Sequence, residues 1–362
     1  MYKDKHVIFV TGSLCDGGAE RVMSILASGC AELGADVTLV ILREKKSAYP
    51  VSDKIKVVQI KSNGRFALFQ RVTQLHDILR HSSAQTVIPF IPIVTLYTLI
   101  ANIGIGKKII MSERADPNIS IFSKNLNIKD KIGTFLMRTI GLHKLASWTV
   151  FQTPDAQAWY SKKVQEKSCI ILNPLDTESL PLPYEGVREK RIVAVGRFSE
   201  EKNFPMLIKG FEIFHKTHPE YTMTIYGEGG LRKELEDQIS QAGLEMSIDL
   251  PGFSSSLAQD IVRAGMYIST SNHEGISNSM LEALGMGIPT IVTDCPVGGA
   301  RLFVHTDENG ILIPMNDVGA LVESMSKIAE ESAFARRISA KASSIRAQLK
   351  ADTICKQWLD LV

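Results

Sequence analysis

Two glutamates, Glu274 and Glu282, bracket the segment His-Glu-Gly-Ile-Ser-Asn-Ser-Met-Leu-Glu-Ala over 273–283. The apolar pattern predicts a strand over Met266–Thr270 with Glu274 ending the extended run, a turn over Gly275–Asn278 and a helix over Ser279–Met286. The first N–H groups of a helix lack intrahelical partners and carry the positive end of its dipole. Gly275, Ile276, Ser277 and Asn278 would therefore offer a phosphate a ready anion site. A carboxylate at each edge could accept hydrogen bonds from hydroxyl groups on either side of that phosphate. Two ordinary helix-start glutamates would look the same in isolation.

The charges that such an anion needs occur at the end of another strand. Ile192–Val195 is followed by Gly196-Arg197-Phe198 and then Glu201-Lys202-Asn203. A departing diphosphate gathers negative charge, which a divalent metal or fixed cations must neutralise. Arg197 can fork onto phosphate oxygens and Lys202 can supply a compact point charge. The chain has no Asp-x-Asp pair to hold a metal-bound diphosphate, so neither a metal nor a cofactor is expected. Taken alone, an Arg and a Lys at this spacing would more often be solvated surface. The run Tyr226-Gly227-Glu228-Gly229-Gly230 is neither GxGxxG nor a Walker sequence, and Gly227 and Gly229 are expected to let backbone approach a nucleotide. Gly17 and Gly18 could present N–H groups to a diphosphate or sugar, or simply make a tight turn.

These residues need scaffolds. His6–Thr11, the Gly17-Gly18 turn, a helix over Ala19–Leu33 and Val37–Leu42 make a βαβ unit, and Ile192–Val195, a helix around Phe204–Lys216 and Thr222–Tyr226 make another. At 362 residues the chain fits two α/β domains. The expected division is 1–172, a Pro- and Gly-containing linker over 173–191, a second domain over 192–340, and a helical end over 341–362 that returns to the first domain. Five widely spaced cysteines, none in a CxxC pair, indicate a reducing cytoplasm rather than disulfides or zinc, and the N-terminus has no signal-peptide pattern. Val87–Ile105 is uncharged, but Pro89, Pro92, Asn102 and Gly104 favour a buried strand and a core helix over a membrane span.

Residues 1–172 carry 23 Lys+Arg against 13 Asp+Glu, whereas the remainder carries 18 against 26. The basic half suggests an anionic surface or partner. Within it, 119–146 mixes Ile121, Phe122, Leu126, Ile132, Phe135, Leu136, Ile140 and Leu145 with Lys124, Lys129, Lys131, Arg138, His143 and Lys144. Such a basic amphipathic segment suits an anionic membrane surface, and equally a surface helix with solvated lysines.

The chain resembles the retaining glycosyltransferases of the GT-B fold, of the family 4 or group 1 type. The resemblance spans nearly all of it, through Gly-Gly-Ala-Glu-Arg (17–21), Ser-Glu-Arg (112–114), Gly-Arg-Phe…Glu-Lys-Asn (196–203), Tyr-Gly-Glu-Gly (226–229) and the pair Glu274 and Glu282. It implies two Rossmann-like, doubly wound domains facing across a cleft. The first would bind a lipid-linked saccharide acceptor, and the second a nucleotide diphosphate sugar, uridine rather than guanosine. Arg197, Lys202 and Glu274 would be the catalytic groups: the first two hold the diphosphate, and Glu274 orients the sugar. Glu282 would grip the ribose, with Phe253 near the base and Gly17-Gly18 over the donor. Glu113 and Arg114 count among the substrate-binding residues, although relatives often have histidine where this chain has Arg114, which could instead pair with a phosphate on the acceptor. Front-side substitution without an enzyme nucleophile, peripheral attachment to the cytoplasmic membrane through 119–146, and no nucleic-acid partner complete what is implied. Two rivals also predict a nucleotide site, namely an epimerase of the same fold and a binding module without turnover.

Overall fold

The computed structural model describes residues 2–15, 17–43, 48–114, 116–117 and 128–362, the side chains of 128–130 excepted. Lys124, Ile121, Phe122 and Leu126 lie outside the described residues, as does the Lys129 side chain. The chain forms two compact units. Unit 1 is Met1–Pro174 with Leu349–Val362, and unit 2 is Leu175–Gln348.

Unit 1 holds the strands β1 (His6–Thr11), β2 (Asp36–Ile41), β3 (Lys56–Gln59), β4 (Thr86–Pro89), β5 (Lys108–Ser112), β6 (Trp148–Phe151) and β7 (Ser168–Ile170). They form one parallel sheet in the order β3-β2-β1-β4-β5-β6-β7. The central strand β1 reads His-Val-Ile-Phe-Val-Thr and is buried from Val7 onward. A continuous apolar run of this kind belongs to a parallel strand covered by helices on both faces, where an alternating one would leave a face to water.

Unit 2 repeats the plan with β8 (Glu189–Val195), β9 (Thr222–Tyr226), β10 (Ile248–Gly252), β11 (Ala264–Ser269), β12 (Thr290–Thr293) and β13 (Ile311–Ile313), in the order β10-β9-β8-β11-β12-β13. In each sheet the direction of winding reverses once, between β1 and β4 and between β8 and β11. Ligands of doubly wound sheets bind at the carboxyl ends of the strands flanking that reversal. Both reversals bear on the placement of the residues singled out above.

The uncharged stretch Val87–Ile105 divides into β4 and the helix Pro92–Ala101, with Pro at the first turn where its missing N–H costs nothing. Among the described residues no helix is long and apolar enough to cross a membrane. The segment expected as a linker, 173–191, counts with unit 2 from Leu175 onward, with Leu182 and Val187 exposed along it. Leu175 and Leu180 are buried, the Arg346 guanidinium donates to the carbonyls of Thr177, Leu180 and Pro181, and β8 begins at Glu189. The helical end divides as well. Ile345–Gln348 stays with unit 2, and the helix Ala351–Leu359 lies on Gly18–Glu32 in unit 1. It buries Ile354, Cys355, Trp358 and Leu359, one helical stripe, with the Trp358 ring 5.9 Å from that of Phe90.

Candidate active site

In unit 2 the segments after β8 and β11 lie side by side at the reversal, and hydrogen bonds sew them together. The Asn272 N–H donates to the Glu201 carbonyl at 2.8 Å. The Thr270 hydroxyl donates to the carbonyls of Lys202 (3.1 Å) and Asn203 (3.0 Å). The Asn203 amide reaches the side-chain oxygens of Asn272 (3.2 Å) and Asn316 (3.0 Å). Asn203 takes a left-handed conformation, φ 49° and ψ 42°, which asparagine tolerates better than most residues, and it opens the helix Phe204–His215. Sequence reading quoted Asn203 only as part of a motif. Its positioning role, and those of Thr270 and Asn272, depend on the fold.

The outcome of this stitching is a direct ion pair between Lys202 Nζ and Glu274 Oε2, with side chains 19% and 26% exposed. Burial pulls the Lys202 pKa down, but the adjoining carboxylate outweighs it, and the ammonium is held above its ordinary range. Ser271 adds a longer hydroxyl contact to the same carboxylate oxygen, at 3.5 Å. Glu274 lies in the loop beyond β11 rather than at a strand end, because pairing with β12 stops at Ser269. Arg197 is exposed and makes no ion pair among the described residues. A half-buried cation–carboxylate pair and an unengaged guanidinium therefore stand within two adjoining loops.

Gly275, Ile276 and Ser277 are buried. The helix starts at Asn278, where the Ser277 hydroxyl accepts the Met280 N–H at 3.4 Å and so caps one helix-start donor from within the protein. Glu282 is inside that helix and 4% exposed. Phe253, directly after β10, is 61% exposed. A small recess beside Glu274 is lined by Ser269, Ser271, Ser277, Thr293 and Cys295, among others. Burial, and next the Glu274 charge, push the Cys295 thiol up to about 12, which leaves no thiolate nucleophile there at neutral pH.

The glycines at 227 and 229 also have a task within the protein. Gly227, at φ 144°, would put a Cβ 1.9 Å from the Gly196 carbonyl oxygen, and a Cβ on Gly229 would stand 2.4 Å from that of Phe198. The Phe198 N–H donates to the Glu228 carbonyl at 2.9 Å. The backbone these glycines admit is that of the Gly196–Phe198 loop, so they shape the seat of Arg197. Sequence reading also missed the loop after β12. The Glu274 N–H donates to the Pro296 carbonyl (3.1 Å), the Val297 N–H returns a bond to the Glu274 carbonyl (3.3 Å), and Gly299 lies against the Gly275 carbonyl. The Gly298-Gly299 pair was the available signal.

In unit 1, Gly17 and Gly18 follow β1 and open the helix Gly18–Glu32, as a nucleotide-facing turn or a plain βα turn would. Glu113 is not available to a substrate. Its two oxygens are taken by the Arg138 guanidinium at 3.0 Å and the Tyr160 hydroxyl at 2.6 Å, and the Glu113 and Arg138 side chains are 2% and 9% exposed. Burial foremost, and the neighbouring carboxylate next, hold the Tyr160 hydroxyl far above its usual range. Arg138 therefore belongs to a buried ion pair and not to a basic outer face. The Arg114 guanidinium lies over the Phe90 ring, 4.6 Å from its centroid.

Two successive doubly wound parallel sheets are the architecture of the GT-B class of fold. Residues 185–344, most of unit 2, match the model of the family described as glycosyl transferases group 1. That region is similar to the glycosyltransferases of this group, and relatives matched along nearly the whole chain share the likeness. It is 22% identical over 349 residues to an uncharacterized glycosyltransferase of Haemophilus influenzae, covering 94% of this chain and 95% of the relative. It is 23% identical over 368 residues, 98% of each chain, to the Campylobacter jejuni GalNAc-alpha-(1->4)-GalNAc-alpha-(1->3)-diNAcBac-PP-undecaprenol alpha-1,4-N-acetyl-D-galactosaminyltransferase. A crystal structure of a mutant of S. aureus TarM in complex with fondaparinux, alpha-GlcNAc-glycerol and UDP superposes with a TM-score of 0.81, at 12% identity and 99% coverage of both chains.

Proposed function

We propose that the chain moves a hexose or N-acetylhexosamine, with retention, from a uridine diphosphate sugar to a lipid-linked saccharide, without a divalent metal. The observation that carries this reading is the Lys202–Glu274 pair at the reversal point of unit 2, with Arg197 unengaged beside it. Lys202 and Arg197 take the diphosphate, Glu274 the donor sugar and Glu282 the ribose. The acceptor hydroxyl oxygen bonds to the anomeric carbon as the carbon–phosphate oxygen bond breaks, and its proton passes to the departing phosphate oxygen. No enzyme nucleophile is needed. A lipid-linked acceptor is supported by the undecaprenol-linked substrate in the name of the Campylobacter relative, and uridine by the UDP bound to TarM.

Fixed cations do the work of a metal in this account, so turnover should be unchanged when EDTA is added. Loss of transfer in EDTA, with recovery on adding magnesium or manganese, would mean that the charge assignment is wrong.

Unit 1 would meet the membrane through the basic face of 119–146, of which 131–146 lie among the residues with described side chains. Arg138 is withdrawn from it, while Ile132, Phe135, Ile140 and Leu145 are exposed among Lys131 and Lys144. Each basic residue near an anionic surface adds about 1 kcal/mol, so Lys131→Gln with Lys144→Gln should weaken sedimentation with phosphatidylserine vesicles by roughly tenfold or more. Equal recovery on neutral and anionic vesicles would count against the membrane face.

A further inference from the structure

We propose that Arg114 forms a second anion subsite, in unit 1, that takes a phosphate or diphosphate group. All three guanidinium nitrogens are buried without a hydrogen-bond partner among the described residues. A guanidinium has five donors, and leaving them unmet in a desolvated place costs several kcal/mol unless an anion arrives. No hydrogen bond from Arg114 to a carboxylate is formed among the described residues. The carboxylate next to it in sequence, Glu113, has given both oxygens to Arg138 and Tyr160. Burial brings the Arg114 pKa down to about 9, so the side chain is still cationic at neutral pH.

The surroundings are arranged for a planar fork. The Phe90 ring beneath the guanidinium is 1% exposed, with its centroid 4.6 Å from the guanidinium carbon. The planar guanidinium fork suits two parallel hydrogen bonds to phosphate oxygens. Phe90 directly follows β4, and Arg114 follows β5 by two residues, so both stand at the carboxyl edge of the sheet. Ile91, next to Phe90, holds φ 64° and ψ 150°, a conformation nearly confined to glycine that costs on the order of 1–3 kcal/mol. It begins the helix Pro92–Ala101, whose dipole favours negative charge at this end. Arg114 as a residue is half-buried, so rotation of its stem can bring the fork to a ligand.

The choice of diphosphate probes rests on the reading given under Proposed function, but inorganic pyrophosphate tests the subsite without requiring transfer. Full-length parent, Lys202→Ala, Arg114→Met and Arg114→Lys would be titrated with inorganic pyrophosphate, UDP and farnesyl diphosphate, and their melting temperatures measured without ligand. Replacing an unpaired buried cation by an apolar side chain should raise the ligand-free melting temperature of Arg114→Met by about 2–4 °C. In the Lys202→Ala background, Arg114→Met should weaken the remaining pyrophosphate binding by about tenfold or more, and Arg114→Lys, which keeps the charge but not the fork, by less. Weaker binding of farnesyl diphosphate assigns the subsite to a lipid diphosphate, and weaker binding of UDP assigns it to the nucleotide; either upholds it. A lower melting temperature for Arg114→Met together with unchanged affinity for all three probes would overturn the proposal and make Arg114 a structural residue.

Discussion

Glu274→Gln should slow transfer by about one to two powers of ten while leaving the affinity for UDP within about twofold of the parent. A hydrogen bond from a sugar hydroxyl to a charged carboxylate contributes roughly 1.5–3 kcal/mol, and each 1.36 kcal/mol is a factor of ten in rate. The amide keeps the shape and gives up the charge. It also releases Lys202 from its ion pair, so the ammonium can meet phosphate without first leaving a carboxylate. Lys202→Ala should do the reverse and weaken UDP itself by tenfold or more, because a partly buried cation is removed from the diphosphate. Steady-state transfer and UDP calorimetry on the two variants separate sugar from phosphate recognition. Parental rates in Glu274→Gln, or equal loss of UDP in both variants, would place the sugar elsewhere.

Gly299→Ala should be nearly as damaging although residue 299 carries no functional group. Its Cβ would stand 1.6 Å from the Gly275 carbonyl oxygen and 2.6 Å from the carbonyl carbon, and both atoms are backbone. Relief requires a shift of more than about 1 Å in the loop that holds Glu274, and misplacement on that scale costs on the order of a hundredfold in rate. Overpacking should also cost roughly 1–3 kcal/mol of stability. A purified Gly299→Ala protein that melts and turns over like the parent would show that the loop after β12 does not set the position of Glu274.

Much of the scaffold was legible because it obeys local rules. The strands His6–Thr11 and Thr222–Tyr226 are bounded where their apolar runs are, and helix ends elsewhere fall within a few residues of the pattern. Charge-bearing residues near strand ends were legible for a related reason, since parallel sheets gather their loops at one edge. What depends on distant partners was not. Arg138 looks like any other cation of a basic helix until Glu113 and Tyr160 are seen to enclose it. Gly227 and Gly229 suggest a nucleotide loop, and only their distances to Gly196 and Phe198 show a backbone-to-backbone fit. Trp358 sits on Phe90 because the chain returns to unit 1 after Gln348, and no local pattern carries the contact between those rings. The loop from Cys295 to Gly299 has almost no periodicity, so its hold on Glu274 leaves only a glycine pair in the sequence.

Transfer with retention from a uridine diphosphate sugar has a direct test. The direct measurement incubates the protein with UDP-glucose, UDP-galactose, UDP-N-acetylglucosamine or UDP-N-acetylgalactosamine, with and without a polyprenyl-diphosphate-linked saccharide. It follows UDP release and the anomeric configuration of the product by NMR. The expected result is release of UDP that requires the acceptor, one UDP for each sugar transferred, and an α-linked product from the α-linked donor. A β-linked product, or conversion of the donor sugar to its epimer with no acceptor present, would contradict the account.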